Sequence, residues 1–373
     1  MTILFSTDQV YLHGGIEKTM AVKANYFADV LGYDVVILTT EQKGKLPQYA
    51  LSSKVRLIDI GINYHRKKSY FHPANIAKIP KHFFGSRKAI AAVKPDVIIS
   101  CNYAFDFYWL PFIFKKIPKL KEYHSSRFYE DQARAGSSFP KNIKYRINDL
   151  IESKFTRLIL LNPDEKQFYK SNNLEVIPNP IEIPEGKAAL TNLRAIAAGR
   201  IAPVKGFETL ISVWRRIAAK IPEWQLDIFG DGDPDYIQKL QSLIDDLQLG
   251  DRVFIRSATQ DLQREMLESS LYLMTSHTEC YPMVLLEAAS IGLPVVSFDC
   301  PTGPRHIIAD GTSGFIVTNQ EVEAFCEKVL SLAQNLPELR QLGDGAKRIS
   351  ARFSTGAVMR HWTALFEKLK NKG

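Results

Sequence analysis

Apolar residues fall in short runs separated by amphipathic stretches along most of the chain. TILFSTD (2–8), DVVILTT (34–40), VRLIDI (55–60), DVIISC (96–101) and TRLILLN (156–162) are compact and rich in β-branched residues. That is the pattern of strands buried on both faces of a parallel sheet. Between them lie helical stretches: an amphipathic run from Ile16 to Leu31, then 76–93 and 140–154. EVIPNPIEIP (175–184) interrupts the rhythm with three prolines and reads as a linker, with a hinge near 179–186. The alternation then restarts. LRAIAAGR (193–200) predicts a strand and turn, and 206–220 a helix with Leu210, Ile211, Trp214 and Ile217 on one face. WQLDIFGDG, RVFIRS, LYLMTS, PVVSFD and GFIVT predict further short strands. The fold class is therefore α/β with two Rossmann-like domains. The boundaries are 1–180 for the first domain and 181–353 for the second. An amphipathic C-terminal helix over 354–373 carries Val358, Trp362, Leu365, Phe366 and Leu369 and is expected to cross back to the first domain.

A length of 373 residues suits two cores. No apolar run approaches the length of a membrane span. TILFSTD follows the first Met with no basic n-region, so a cytoplasmic protein is expected. The four cysteines (Cys101, Cys280, Cys300, Cys326) show neither CxxC nor metal-ligand spacing and read as reduced thiols. Charge is uneven. Residues 1–180 hold 27 Lys and Arg against 16 Asp and Glu, so +11, whereas 181–373 sum to −3. A basic first half points to an anionic partner. Arg66, Lys67 and Lys68, with Lys115, Lys116, Lys119 and Lys121, adjoin Tyr70, Phe71 and the aromatics at 107–114. That combination suits an anionic membrane interface. No nucleic-acid module is recognisable, so nucleic acid is not expected as a partner.

The candidate chemistry is concentrated in the second half. In Glu279-Cys-Tyr-Pro-Met-Val-Leu-Leu-Glu287 two carboxylates frame an aromatic–Pro turn and a helix start near Met283. A helix N-terminus offers unpaired N–H groups and partial positive charge to a diphosphate, and a carboxylate accepts from ribose hydroxyls. In GRIAPVKGFETLI (199–211), Arg200 and Lys205 follow a strand, where ligands of open α/β sheets gather. His13-Gly14-Gly15-Ile16-Glu17 follows the first strand but is not GxGxxG, so a nicotinamide fingerprint is missing from its expected place. His124 sits in LKEYHSSRF between a strand-like stretch and a loop. Asp231-Gly-Asp233 superficially matches a metal-binding DxD.

The spacing of Glu279 and Glu287, with VLLEAASIGLPVVSFD around it, resembles the family 4 retaining glycosyltransferases and their E-x7-E signature. The resemblance implies a GT-B architecture, two Rossmann-like domains facing across a cleft. It also implies transfer of a hexose or N-acetylhexosamine from a nucleotide sugar, UDP in the first place. By that resemblance Arg200 and Lys205 contact the donor diphosphate, Glu279 the donor sugar and Glu287 the ribose. Tyr281, Pro282, Met283 and Val284 shape the donor loop. Gly14 and Gly15 form the GG-x-E loop facing the donor phosphates, and His124 faces the donor sugar. The catalytic set is thus His124, Glu279, Arg200 and Lys205. No cofactor or metal is implied, because the two cations supply the charge a divalent ion would. SFDCPTGPRHII (297–308) resembles a segment of relatives that build bacterial surface polysaccharides, with His306 where many carry Glu. The implied acceptor is a glycan or polyprenyl-pyrophosphate-linked oligosaccharide at the inner face of the membrane. A UDP-sugar 2-epimerase on the same fold, or a noncatalytic nucleotide-sugar-binding protein, are the alternatives.

Overall fold

The computed structural model describes residues 1–101 and 104–371, so the last two residues of the C-terminal segment lie outside it. The chain divides into two compact units, Met1–Pro180 with Val358–Gly373, and Ile181–Ala357.

The first unit holds seven strands: β1 (Thr2–Thr7), β2 (Asp34–Thr39), β3 (Val55–Asp59), β4 (Val97–Ser100), β5 (Lys119–Glu122), β6 (Arg157–Leu160) and β7 (Leu174–Val176). All pair in parallel, in the order β3-β2-β1-β4-β5-β6-β7. Its helices are α1 (Gly15–Asn25), α2 (Pro73–Ile76), α3 (Ile79–Val93), α4 (Phe128–Ala135) and α5 (Phe139–Glu152). The run expected from Ile16 to Leu31 is α1 continued by a π-helical turn over Tyr26–Val30. Pro80 and Pro140 lie in the first turns of α3 and α5, where a missing N–H costs nothing.

The second unit holds β8 (Arg194–Ala198), β9 (Gln225–Phe229), β10 (Val253–Arg256), β11 (Leu271–Met274), β12 (Val295–Phe298) and β13 (Gly314–Val317), in the order β10-β9-β8-β11-β12-β13 and again all parallel. Around them lie α6 (Phe207–Ile217), α7 (Pro234–Asp246), α8 (Leu262–Leu267), α9 (Met283–Ser290), α10 (Val322–Gln334) and α11 (Leu336–Ser350). The buried face of α6 carries Leu210, Ile211, Trp214 and Ile217.

The last helix, α12 (Thr355–Lys370), returns to the first unit. Val358, Met359, Trp362, Leu365 and Phe366 are buried in one cluster with Phe5, Phe27, Ile37 and Ile99. Trp362 meets Phe27 edge-on at 6.4 Å. Among the described residues no helix is long and apolar enough to cross a membrane.

The structure corrects part of the expected basic cluster. Lys119 and Lys121 belong to β5, a strand inside the sheet, and both are buried. Lys119 Nζ donates to the Phe114 carbonyl at 2.6 Å, and burial lowers its pKa to about 8. Lys121 Nζ lies 3.3 Å from Ser100 Oγ, and burial lowers its pKa too. Arg66 is neutralised by Asp8 at 2.6 Å and by Glu41. Phe107 is a core residue with no exposed surface, stacked on Phe155. Lys67, Lys68, Lys115 and Lys116 of the expected cluster are exposed.

Candidate functional site

In an open parallel sheet the crevice lies at the carboxyl ends of the strands, where strand order reverses. In the second unit that point is between β8 and β11. The two strands are tied there by Tyr272, which is fully buried. Its hydroxyl accepts from the Ala198 N–H at 3.1 Å and donates to the Ala198 carbonyl at 2.9 Å. The loops that follow are also stitched together. The Thr275 hydroxyl donates to the Gly206 carbonyl at 2.9 Å, and the His277 N–H to the Val204 carbonyl at 2.8 Å. Gly206 has φ +64°, and a Cβ there would lie 2.2 Å from the Thr275 carbonyl oxygen, so only glycine fits this close approach.

This scaffold places the candidate residues. Lys205 ends a 3₁₀ turn after β8, and its Nζ lies 2.5 Å from Glu279 Oε1 in the loop after β11. Ser276 Oγ donates to the same carboxylate oxygen at 2.8 Å. The Glu279 backbone is fixed as well. Its N–H donates to the Pro301 carbonyl at 2.8 Å, and its own carbonyl accepts from Thr302 and Gly303. Arg200 is exposed and has no acidic partner among the described residues. Helix α9 opens at Met283 with Pro282 as its N-cap, and no side chain caps its first turn. Glu287 lies one turn further on and is half-buried. Tyr281 is buried with its ring edge-on to Phe353, and burial drives its hydroxyl pKa far up. It anchors the loop from inside, leaving the backbone around 281–283 to shape the surface. Cys300 is buried, and its thiol is pushed up by that burial and by the charge of Glu279.

Asp231 and Asp233 are committed to backbone amides. Asp233 caps α7 through the N–H groups of Asp235 and Tyr236, and Asp231 accepts from Ala258. No group of three or more potential metal ligands occurs among the described residues.

In the first unit, Gly14 is the extended N-cap residue of α1 and Gly15 its first residue. Glu17 is buried and folds back beneath them. It accepts from Gln9 Nε2 at 2.5 Å, and a Cβ on Gly14 would meet its Oε2 at 2.3 Å. His124 lies just beyond β5. Its Nε2 is 3.1 Å from Glu122 Oε2, and the other oxygen of Glu122 pairs with buried Lys23. Burial alone would raise the Glu122 pKa. The Lys23 charge and the His124 hydrogen bond outweigh it and hold the group well below the ordinary carboxylate range. An ionised carboxylate can only accept, so Nε2 of His124 is the donor and Nδ1 is the ring nitrogen left for other partners.

Two family descriptions match the chain in succession, "Glycosyltransferase Family 4" over residues 13–184 and "Glycosyl transferases group 1" over residues 180–349. The chain belongs to the family 4 glycosyltransferases. An uncharacterized glycosyltransferase of Haemophilus influenzae is 28% identical over 94% of this chain and 96% of its own length. An exopolysaccharide phosphotransferase of Streptomyces coelicolor is 28% identical over 77% of this chain, which spans only 30% of that protein. Among solved structures, TarM of S. aureus in complex with Fondaparinux, alpha-GlcNAc-glycerol and UDP has a TM-score of 0.79 at 17% identity, covering 98% of this chain and 99% of that one. At that identity the likeness speaks to the fold, which is GT-B.

In this glycosyltransferase the second unit brings Lys205 and Glu279 into contact and sets Arg200 and the start of α9 on flanking loops. His124, Gly14 and Gly15 stand on the first unit, at the carboxyl ends of β5 and β1. Sequence reasoning passed over Glu122 and Lys23, which orient His124, and Ser276, which shares Glu279 with Lys205. Glu122 had a readable signal, since it ends the strand only two residues before His124. Lys23 had none, being 99 residues away from Glu122.

Proposed function

We propose that this glycosyltransferase moves a hexose or N-acetylhexosamine from a UDP-sugar, with retention of anomeric configuration, to a glycan or lipid-linked oligosaccharide in surface-polysaccharide assembly. The observation that carries the reading is the Lys205–Glu279 contact across the β8–β11 switch point. A cation and a carboxylate share one crevice beside an uncapped helix start and an unpaired arginine. Arg200, Lys205 and the first turn of α9 would hold the diphosphate and stabilise the charge that develops as the sugar–phosphate bond loosens. Glu287 would accept from the ribose hydroxyls and Glu279 from the donor sugar. The diphosphate is neutralised by side chains and backbone dipoles, so the reading assigns no metal and no cofactor.

The donor class and acceptor class draw support from relatives. A poly(ribitol-phosphate) alpha-N-acetylglucosaminyltransferase of Staphylococcus aureus is 25% identical over 61% of this chain, which spans 47% of that protein. HepE of Anabaena, whose fold is alike at a TM-score of 0.76, was solved in complex with UDP. The test is a panel of UDP-sugars screened by thermal stabilisation, then UDP release measured with glycan and polyprenyl-pyrophosphate acceptors, with the product anomer read by NMR. Stabilisation by one UDP-sugar and acceptor-dependent UDP release are expected. A UDP-soaked crystal with the ligand away from Arg200, Lys205 and 279–287 would overturn the site.

A further inference from the structure

One surface of the first unit has a composition that the transferase chemistry does not use. Helix α5 exposes Phe139 (77%), Ile143 (43%), Ile147 (47%) and Leu150 (58%). Successive gaps of four, four and three residues put these side chains on one stripe. The opposite side of the helix is its packed face, with Asn148, Ile151 and Glu152 buried. An amphipathic helix normally turns its apolar stripe inward, and here a second stripe faces water. Isolated exposed apolar residues are ordinary, but four in register on one helix form a patch of the kind that marks an interaction site.

The charges around the stripe are of one sign. Lys144 and Arg146 on the helix flank the stripe, and they and Lys154 just after the helix are exposed and have no acidic partner among the described residues. The helix's own acids are already engaged, Asp149 with Arg134 at 2.9 Å and Glu152 with Arg127. Lys144 also lies over the ring of Phe71, itself half-exposed, which extends the apolar surface toward the neighbouring loop. Residues 1–180 of this unit carry +11.

Topology fixes which end of the sheet the patch reaches. α5 connects β5 to the adjacent parallel strand β6, so it must run back from the carboxyl ends of the strands toward their amino ends. Phe139, its first residue and the most exposed of the four, therefore stands at the same end of the sheet as His124.

We propose that the exposed face of α5 docks this unit onto an anionic lipid membrane, with Phe139, Ile143, Ile147 and Leu150 entering the interface and Lys144, Arg146 and Lys154 meeting lipid headgroups. An interfacial helix has this construction, an apolar stripe bordered by Lys and Arg. Charge decides between a membrane and a second copy of the chain. A two-fold contact through this face would bring the cations of one copy against those of the other, whereas an anionic headgroup layer complements them. The proposal does not depend on which sugar is moved.

The test is co-sedimentation of the full chain with vesicles of phosphatidylcholine alone and of phosphatidylcholine with phosphatidylglycerol. Binding to the anionic vesicles, weakened by salt, is expected. The double variant Ile143→Glu with Ile147→Glu should lower partitioning more than tenfold, and Lys144→Gln about fivefold. Both variants should keep wild-type UDP binding and acceptor-independent donor hydrolysis, so loss of docking is separable from loss of the transferase chemistry. If the double variant is less stable by thermal melting, Phe139→Ser, at the most exposed position, carries the same comparison. Three results would each overturn the proposal. They are wild-type protein remaining in solution with anionic vesicles, equal binding to neutral vesicles, and variants that bind as wild type. A shift from dimer to monomer with vesicle binding unchanged would assign the face to a second copy instead.

Discussion

Glu279→Gln should separate nucleotide binding from turnover, and the geometry sets the size of the effect. Lys205 Nζ and Glu279 Oε1 are 2.5 Å apart, with side chains 22% and 13% exposed. At an effective dielectric near 20, two unit charges about 4 Å apart attract by roughly 4 kcal/mol. Desolvation and side-chain ordering cancel most of that, leaving about 1 kcal/mol net for a pair this close to the surface. A diphosphate must compete with Glu279 for Lys205. Replacing the carboxylate by an isosteric amide removes the competitor and a nearby negative charge. UDP affinity should therefore stay level or tighten, by up to about tenfold. Turnover should fall on the order of a hundredfold, because the donor sugar loses a charged acceptor. Lys205→Ala should do the opposite to binding. It removes a charge-assisted hydrogen bond of roughly 1.5–3 kcal/mol, weakening UDP by about 10- to 100-fold. In the double variant the two effects should fail to add, since the groups are in contact. Isothermal titration with UDP and a UDP-release assay on the same preparations measure both quantities. A tenfold loss of UDP affinity in Glu279→Gln would make Glu279 a nucleotide contact and refute the division of roles. Wild-type affinity in Lys205→Ala would refute the role of the cation.

Three further outcomes follow from packing and charge. Glu122→Gln leaves Lys23 buried without its counter-charge and should cost about 3–5 kcal/mol, read by urea unfolding at neutral pH. Because Glu122 is held below its unfolded pKa, its contribution is present above the ordinary carboxylate range and fades as pH falls through that range toward the lower folded value. The variant's acid limb should therefore be shallower than that of the wild type, and identical limbs would remove Glu122 from the account. Gly206→Ala puts a Cβ 2.2 Å from the Thr275 carbonyl at a positive φ, so it should lose roughly 1–3 kcal/mol of stability and weaken UDP binding by displacing Lys205. Trp362→Ala empties the joint between α12 and the first unit and should cost about 3–5 kcal/mol, seen as a lowered melting temperature with UDP affinity retained in whatever folds.

The residues that were legible in the sequence are those whose geometry is local. Arg200 and Lys205 lie on one turn after one strand, and Glu279 and Glu287 on one loop and the first turns of one helix. Their relative placement is therefore nearly fixed once β8, β11 and α9 are recognised. Parallel pairing does the rest, because adjacent strands in register bring the two loops to one edge. The strands themselves announced their burial through β-branched runs such as DVVILT, which has five buried residues of six. The short strand β5 did not, since half of it is lysine.

That strand shows why the first unit was harder to read. Lysine is among the residues least often buried, so composition assigned Lys119 and Lys121 to the surface, and with them a membrane-facing role. Their burial is permitted by partners that sequence does not reveal, a carbonyl at Phe114 and a hydroxyl at Ser100. Lys23 is the same case, made tolerable by Glu122 across 99 residues of chain. Lys23 and Lys121 help to hold the carboxyl half of β5, beyond which His124 stands, whereas Lys119 ties down its amino end. The net charge of the unit was thus a sound clue attached in part to the wrong residues, since Lys119 and Lys121 are buried whereas Lys67, Lys68, Lys115 and Lys116 are exposed as expected. The α5 cations are exposed as well, and there Lys144 and Arg146 border exposed Phe139, Ile143, Ile147 and Leu150. What separates the two sets is the number of buried acceptors within reach, a property of the tertiary structure. Substituting the α5 cations should therefore change how the protein binds anionic surfaces and leave its melting temperature in place, whereas substituting Lys23 or Lys121 should unfold it.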